Sequence, residues 1–324
     1  MNDSARVVVV GSFNVDHVWT VATLPRPGET LAGHYRTGPG GKGFNQATAA
    51  ARAGAKTSFV CALGDDLGGQ LAHALAVADD IDLHDLPSHA PTGTAGIYVD
   101  HAGRNSIVIG PGANAELSSD FVNQQASTIA VARVVLAQLE SPVAAVEAAF
   151  AAARTAGVMT VLNPAPADAQ APPSLLLLSD VITPNETEFC AQLGRHTSQQ
   201  VDAATLAAQD DDTLHALCRR LLPHGTVVIT LGAAGCFVSH ADIDLHNDAR
   251  SHYRVAAAPV QPIDTTGAGD AFNGALAASV ARRGDAAFAD HVHFANRYAG
   301  LSTERAGAAS AMPHEADLRA RFGA

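Results

Sequence analysis

The segment Asp264-Thr-Thr-Gly-Ala-Gly-Asp270-Ala-Phe-Asn-Gly-Ala275 sets two glycines and one carboxylate at the start of an Ala-rich run, Ala271 to Ala281, that reads as a helix. The first turn of a helix leaves backbone N–H groups without intrahelical partners, with the positive end of the helix dipole behind them. Gly267 and Gly269, bracketing Ala268, let that backbone approach a ligand, so the turn suits a phosphate. Asp270 sits inside this anion hole. A carboxylate beside phosphate oxygens makes sense when it holds or deprotonates a nucleophile attacking the phosphate, which points to phosphoryl transfer onto a hydroxyl. Read alone, Gly-Ala-Gly-Asp would pass for an ordinary helix with a capping aspartate. Residues upstream decide between the two.

Gly38-Pro-Gly-Gly-Lys-Gly43 is the second glycine-rich stretch. It matches Gly-x-Gly-x-x-Gly, and Asp65 and Asp66 lie at about the distance of a ribose-binding acid. A dinucleotide fingerprint directly follows the first buried strand, however, and the first apolar run, Val7–Val10, ends at Gly11. A nicotinamide-dependent oxidoreductase is therefore a weak reading. The stretch is not a Walker A loop either, because Lys42 is followed by Gly43 rather than by a magnesium-binding Ser or Thr. What remains is a glycine turn opening a helix over Phe44–Ala53. Lys42 and Asn45 lie three apart and can face one ligand. Glu140 is a further candidate, since a carboxylate after mostly apolar residues is costly to bury unless paired.

The elements that must position these groups alternate. Apolar runs at Val7–Val10, Thr57–Leu63, Val131–Leu139, Val158–Leu162 and Thr226–Leu231 read as strands. Leu67–Ala78, Val143–Thr155, Glu186–Leu193, Thr213–Leu222, Gly269–Arg282 and Asp290–Thr303 read as helices, and Leu175–Ile182 as a helix end running into a strand. Continuous apolar strands separated by helices predict a mostly parallel sheet covered on both faces, with ligands gathering at the strand C-terminal edge. Two segments break the rhythm. His17–Leu24 with Thr30–Arg36, and Thr94–Asp100 with Asn105–Ile109, read as antiparallel pairs, the second turning at Asp100-His-Ala-Gly103. They predict a small sheet, inserted at about 15–38 and 93–110, that acts as a lid and as a contact for a second copy. The whole chain reads as one α/β domain, residues 1–324.

Composition narrows the partners. Among 324 residues, 47% are hydrophobic and only 5% aromatic, so the core is built from Ala, Val and Leu. The net charge of −12 argues against nucleic acid or an anionic membrane surface. A bound polyphosphate must then be neutralised locally, by helix ends, a lysine and Mg²⁺. Cys61, Cys190, Cys218 and Cys236 show no paired spacing and read as reduced core residues of a cytoplasmic protein. No secretory leader opens the chain, no apolar run spans a membrane, and the 15 histidines show no zinc spacing.

Taken together, these stretches resemble the ribokinase/PfkB family of sugar kinases. Gly40 to Ala55 looks like the family's N-terminal motif and Asp264 to Gly274 like its C-terminal one. Gly11-Ser-Phe-Asn-Val-Asp16, Pro27-Gly-Glu-Thr30, Gln138-Leu-Glu-Ser-Pro142, Asn163-Pro-Ala-Pro166, Thr183-Pro-Asn-Glu-Thr-Glu188 and Thr230-Leu-Gly232 fall between them in family order. The resemblance implies a ribokinase-like three-layer sandwich with an antiparallel lid. It also implies ATP-dependent phosphorylation of the primary hydroxyl of ribose, or of fructose, a keto-deoxy sugar acid, deoxyribose or a nucleoside. A non-catalytic sugar sensor on the same fold is weaker, because Asp270 and its glycines are all present. Asp270 would be the base, with Gly267, Ala268 and Gly269 as the anion hole. Asn14, Asp16, Gly41, Lys42, Asn45 and Glu140 would hold the sugar. Asn185 and Glu188 would serve the nucleotide phosphates and a Mg²⁺-bound water, while Thr230, Gly232, Gly235 and Asn296 would line the ATP site. Asp264, Thr266, Thr303, Ala306 and Ala308 would enclose an activating K⁺, and the lid would form a homodimer.

Overall fold

The computed structural model describes residues 6–242 and 247–323. In chain order its strands are β1 (Arg6–Val10), β2 (Asn14–Val21), β3 (His34–Gly40), β4 (Lys56–Gly64), β5 (Ile81–Ser88), β6 (Gly93–Asp100) and β7 (Asn105–Gly110), then β8 (Val134–Ala137), β9 (Met159–Leu162), β10 (Val181–Ile182), β11 (Thr226–Thr230), β12 (Cys236–Ser239) and β13 (His252–Val255). Nine form the large sheet, in the order β13-β12-β11-β10-β9-β8-β1-β4-β5. The pairings from β11 through β5 are parallel, and β12 and β13 extend the edge antiparallel.

Alternation along β1 shows why the sheet is covered twice. Val7 and Val9 pack with Phe44, Ala275, Leu276 and Tyr298, from the Lys42–Arg52, Ala268–Arg282 and Phe288–Ser302 helices. Val8 and Val10 pack into the opposite layer with Val146, Phe150, Phe189 and Leu217, from the Val143–Thr155, Glu186–His196 and Asp211–Leu221 helices. Period-2 side-chain direction thus builds the three-layer architecture from a uniformly apolar run. All four cysteines are free thiols, three of them buried. Among the described residues no helix is long and apolar enough to cross a membrane.

Parallel pairing brings the strand C-terminal ends to one edge. Ser12 and Asn14 follow β1, Gln138 and Glu140 follow β8, Asn163 follows β9, Thr183 follows β10, and Thr230 ends β11.

The small sheet runs β3-β2-β6-β7. The pairs β2·β3 and β6·β7 are antiparallel, as their sequences predict, but they join through a parallel β2·β6 ladder, so the sheet is mixed. The Asp100–Gly103 turn forms, with the Asp100 carboxylate accepting from the Ala102 and Arg104 N–H groups. Two boundaries differ from expectation. The strand expected at Thr30–Arg36 is displaced to His34–Gly40, because Gly40 pairs opposite Asn14. The long strand expected at Val131–Leu139 shrinks to Val134–Ala137, since a short helix, Ala126–Ala130, ends on Val131.

Candidate active site

Glycines decide how the lid meets the body. Gly38–Gly40 lie within β3, and the expected turn contracts to Gly41, whose φ of 85° few other residues tolerate. A Cβ on Gly40 would lie 2.3 Å from both Asp16 carboxylate oxygens, and one on Gly41 would lie 2.8 Å from the Asn14 nitrogen. These positions let β3 pass directly over Asp16 and start the Lys42–Arg52 helix against β1's exit.

The sugar-side residues of the sequence reading converge here. Asp16 lies close enough to Glu140 and Asp270 to feel both charges; burial first, then those two carboxylates, push its carboxyl up to about 6 despite Arg36. Glu140 is fixed by the Ser12 hydroxyl (2.6 Å) and the Lys42 backbone N–H (2.9 Å). Asn14 Oδ1 accepts from Asn114 Nδ2 (2.8 Å), and Asn114 also bonds both backbone groups of Phe13. Asn114 is buried and fixes the pose of Asn14. No sequence signal marked it, because it arrives from the segment after the lid hairpin.

Asp270 is buried on the first turn of the Ala268–Arg282 helix. Asn45 Nδ2 donates to its Oδ2 and Gln46 Nε2 to its Oδ1, both at 2.9 Å. Burial pushes its carboxyl above the ordinary range, opposed by the Lys42 ammonium and those two amides. Asn45 keeps a buried Oδ1 without a hydrogen-bond partner, an acceptor available to a ligand hydroxyl. For Lys42, burial disfavours the charge, but Asp270, Glu140 and Glu188 outweigh it and hold the ammonium above its usual range.

Lys42, Asn185, Glu188, Thr230, Gly267, Ala268, Gly269 and Asp270 all line one cleft of about 160 Å³, with Asn163, Thr183, Thr265 and Asn273 completing it. Gly267 has φ 75° and caps the helix. The Ala268 N–H donates to Thr265 O at 3.2 Å, so of the three expected backbone donors it is engaged within the turn, unlike those of Gly267 and Gly269. Asn185 and Glu188 form a reciprocal capping box at the start of the Glu186–His196 helix. Glu188 is buried, and burial raises its carboxyl. One carboxylate and an amide at a cleft built for phosphate fit Mg²⁺, which binds through few protein ligands plus phosphate oxygens.

The remaining expected residues, Gly232, Gly235, Asn296 and the group around Asp264, are not among those that line this cleft. Gly232 and Gly235 turn the chain between β11 and β12 with φ of 51° and 90°. Asn296 donates to Ala256 O at 3.0 Å and holds the Phe288–Ser302 helix to the chain after β13. Asp264 accepts from the Thr266 N–H and hydroxyl, and from the Gly307 N–H at 2.9 Å. Burial raises its carboxyl, but these bonds outweigh burial and hold it below the usual range. The two loops expected around K⁺ are thus in contact. Both Asp264 carboxylate oxygens are engaged in these bonds, Thr303 O already accepts from the Ile263 and Asp264 N–H groups, and Ala308 O accepts from Ala311. A larger cavity, about 600 Å³, lies at the other end of the Ala268–Arg282 helix and holds no glycine loop; its Arg282 and Arg319 are paired with Glu315.

A buried carboxylate on the first turn of a helix that opens at two glycines, within the field of two further carboxylates, has the chemistry expected for phosphoryl transfer to a hydroxyl. The sequence matches the pfkB family carbohydrate kinases over residues 4–315, and this chain belongs to that family. It is 38% identical over 311 residues to the ribokinase of Haemophilus influenzae, covering 95% of each chain. It is also 38% identical to mouse ribokinase over 322 residues, covering 98% of this chain and 94% of the relative. The structure of Arabidopsis thaliana ribokinase complexed with ribose and ATP superposes with a TM-score of 0.80 at 30% identity, covering 97% of both chains.

Proposed function

We propose that this protein is an ATP-dependent kinase that phosphorylates the primary hydroxyl of D-ribose, giving ribose 5-phosphate and ADP. The observation that carries the reading is Asp270, each of whose carboxyl oxygens accepts from a side-chain amide at the Gly267–Gly269 turn, within the field of Asp16 and Glu140. Ionised carboxylates accept hydrogen bonds only, which suits a ligand rich in hydroxyl donors. Asp16, Glu140, Asn14 and the free Oδ1 of Asn45 would hold the sugar so that its primary hydroxyl meets Asp270. Asp270 accepts the hydroxyl proton as the oxygen attacks the γ-phosphorus and the bond to the β–γ bridging oxygen breaks. Because such transition states are loose, alignment and charge stabilisation supply most of the rate. The Gly267 and Gly269 N–H groups stabilise charge on the transferring group. Lys42 lines the phosphate cleft while its own N–H holds Glu140, so it would bridge the two halves of the site. Mg²⁺, held through Glu188 and the nucleotide phosphates, would neutralise phosphate charge. The lid would exclude water that could otherwise take the phosphate.

Ribose is the assignment favoured by the relatives of similar length. A coupled ADP-release assay over ribose, deoxyribose, fructose, keto-deoxy sugar acids and adenosine tests it. Ribose should give the highest kcat/KM; a preference for another acceptor would keep the kinase and replace the substrate.

A further inference from the structure

Resting on Asp270 as the base, we propose that Gln46 is a positioning residue that sets the orientation and ionisation of that base without touching substrate. Gln46 is fully buried on the Lys42–Arg52 helix, one residue beyond Asn45. The two adjacent amides hold one oxygen each of the Asp270 carboxylate, at 2.9 Å, and so fix its plane. Their remaining valences separate their roles. Asn45 keeps an unpartnered Oδ1, whereas every hydrogen-bonding group of Gln46 is engaged inside the protein.

The polarity of that engagement is fixed from both ends. Asn163 Nδ2 donates to Thr183 O (3.0 Å), and a backbone carbonyl can only accept. Asn163 must therefore turn Oδ1 toward Gln46, which commits Gln46 Nε2 to Asn163 (3.1 Å) and Asp270 together. Gln46 Oε1 then faces Gln138, whose Nε2 donates at 2.6 Å. On the far side the Thr183 hydroxyl donates to Asn273 Oδ1, and Asn273 Nδ2 donates to Gly269 O (2.8 Å). The chain of side chains begins and ends on the turn that carries Asp270. Gln46 cannot rotate its amide without breaking this ring.

The charges around Asp270 make that donor matter. Lys42 favours its ionised form, while burial and Glu140 oppose it. Asp16 on β2 and Glu188 on the Glu186–His196 helix also interact with its charge. Removing the Gln46 N–H leaves a buried carboxylate with one donor fewer among three others.

Gln46→Leu and Gln138→Leu test this in the full-length protein, with Asp270→Asn beside them. For Gln46→Leu, kcat at saturating sugar and Mg·ATP should fall about 10–100-fold. The acid limb of the kcat–pH profile should move up by about one unit, with KM for ATP unchanged. Gln138→Leu, which loosens Gln46 without touching Asp270, should shift the same limb the same way by less. It decides the matter if Gln46→Leu does not fold. A fall in kcat with an unmoved acid limb, or no fall, overturns the proposal. Turnover retained by Asp270→Asn would instead remove the base assignment, and this inference with it; an inactive Asp270→Asn with unmoved limbs removes only the inference.

Discussion

At the scale of single residues, two carboxylates in one site carry different duties because their surroundings differ. Asp270 is buried and held by two amides and Lys42, so it can act as a base without leaving its pose. Asp270→Asn keeps the shape and removes the proton acceptor. We expect kcat to fall by about 10²–10⁴-fold while sugar affinity, measured calorimetrically, changes little. Near-normal turnover in the purified variant would remove the assignment. Asp16 is less buried and titrates at about 6. Since a polyol needs the ionised acceptor, ribose affinity should fall as pH drops through about 6, and Asp16→Asn should lose that dependence. The linkage to stability has the opposite sign. A carboxyl raised above its unfolded value contributes stability below the unfolded pKa, and that contribution is lost as pH rises through about 6. Asp16→Asn should therefore be no less stable than wild type at pH 8 while binding ribose more weakly. A variant less stable at pH 8 would show that the cage is not strained by its own charge.

At the scale of elements, the site depends on how closely two helices approach. Gly274 lies one turn beyond Asp270, and a Cβ there would sit 2.4 Å from the Gln46 carbonyl oxygen and 2.5 Å from Ala49 Cβ. This contact sets the Lys42–Arg52 helix against the Ala268–Arg282 helix, so Asn45 and Gln46 reach Asp270. Gly274→Ala should force the helices apart, costing roughly 1–3 kcal/mol by overpacking, and lower kcat more than KM. Unfolding by urea and steady-state kinetics would check both; unchanged kcat would mean that the spacing is not critical. The contact between the Asp264 loop and the Gly307 loop makes a second element-scale case. A Cβ on Gly267 would lie 3.0 Å from the Ala308 Cβ, so the two segments are close and ordering the loop around Asp264 would steady the Gly267–Gly269 turn. K⁺ should raise kcat at saturating ribose and Mg·ATP, Na⁺ far less, and Asp264→Ala should remove the response. Equal rates in K⁺ and in a bulky organic cation would exclude an ion here.

At the scale of the whole molecule, the small sheet is half finished. Among the described residues no further strand lies beside its edges β3 and β7, and Tyr35, Ile107, Val108 and Ile109 are each 46–67% exposed. On one face His17, Trp19, Tyr35 and Tyr98 form a run of neighbouring rings. Apolar surface of this kind is costly in water. We propose that a second copy covers it. Light scattering should give a dimer, and Tyr35→Lys with Val108→Lys, on the face of the aromatic run, should give a monomer with a raised KM for ribose. A wild-type monomer at micromolar concentration would rule the dimer out.

The sequence by itself determined the alternating order of strands and helices, the two glycine-rich turns and the carboxylates beside them. These depend on local rules: periodicity, glycine's freedom, and the cost of an unpaired acid in an apolar run. It marked Asp270 and Glu140 because a carboxylate there contradicts its neighbours, and Lys42 because it sits in a glycine turn three residues before Asn45. It did not reveal Asn114 holding Asn14, nor the ring through Gln46, Gln138, Asn163, Thr183 and Asn273. An amide among apolar residues has no periodic signature, and its partners lie far along the chain, 117 residues away for Gln46 and Asn163 and 224 for Gln46 and Asp270. Nor could it show that β2 and β6 pair in parallel, or that Ala268's N–H and Thr303's carbonyl are already engaged. Hydrogen bonds within a buried site are settled only when the strand edges meet. There, each donor must find whichever acceptor the packing brings within 3 Å or so.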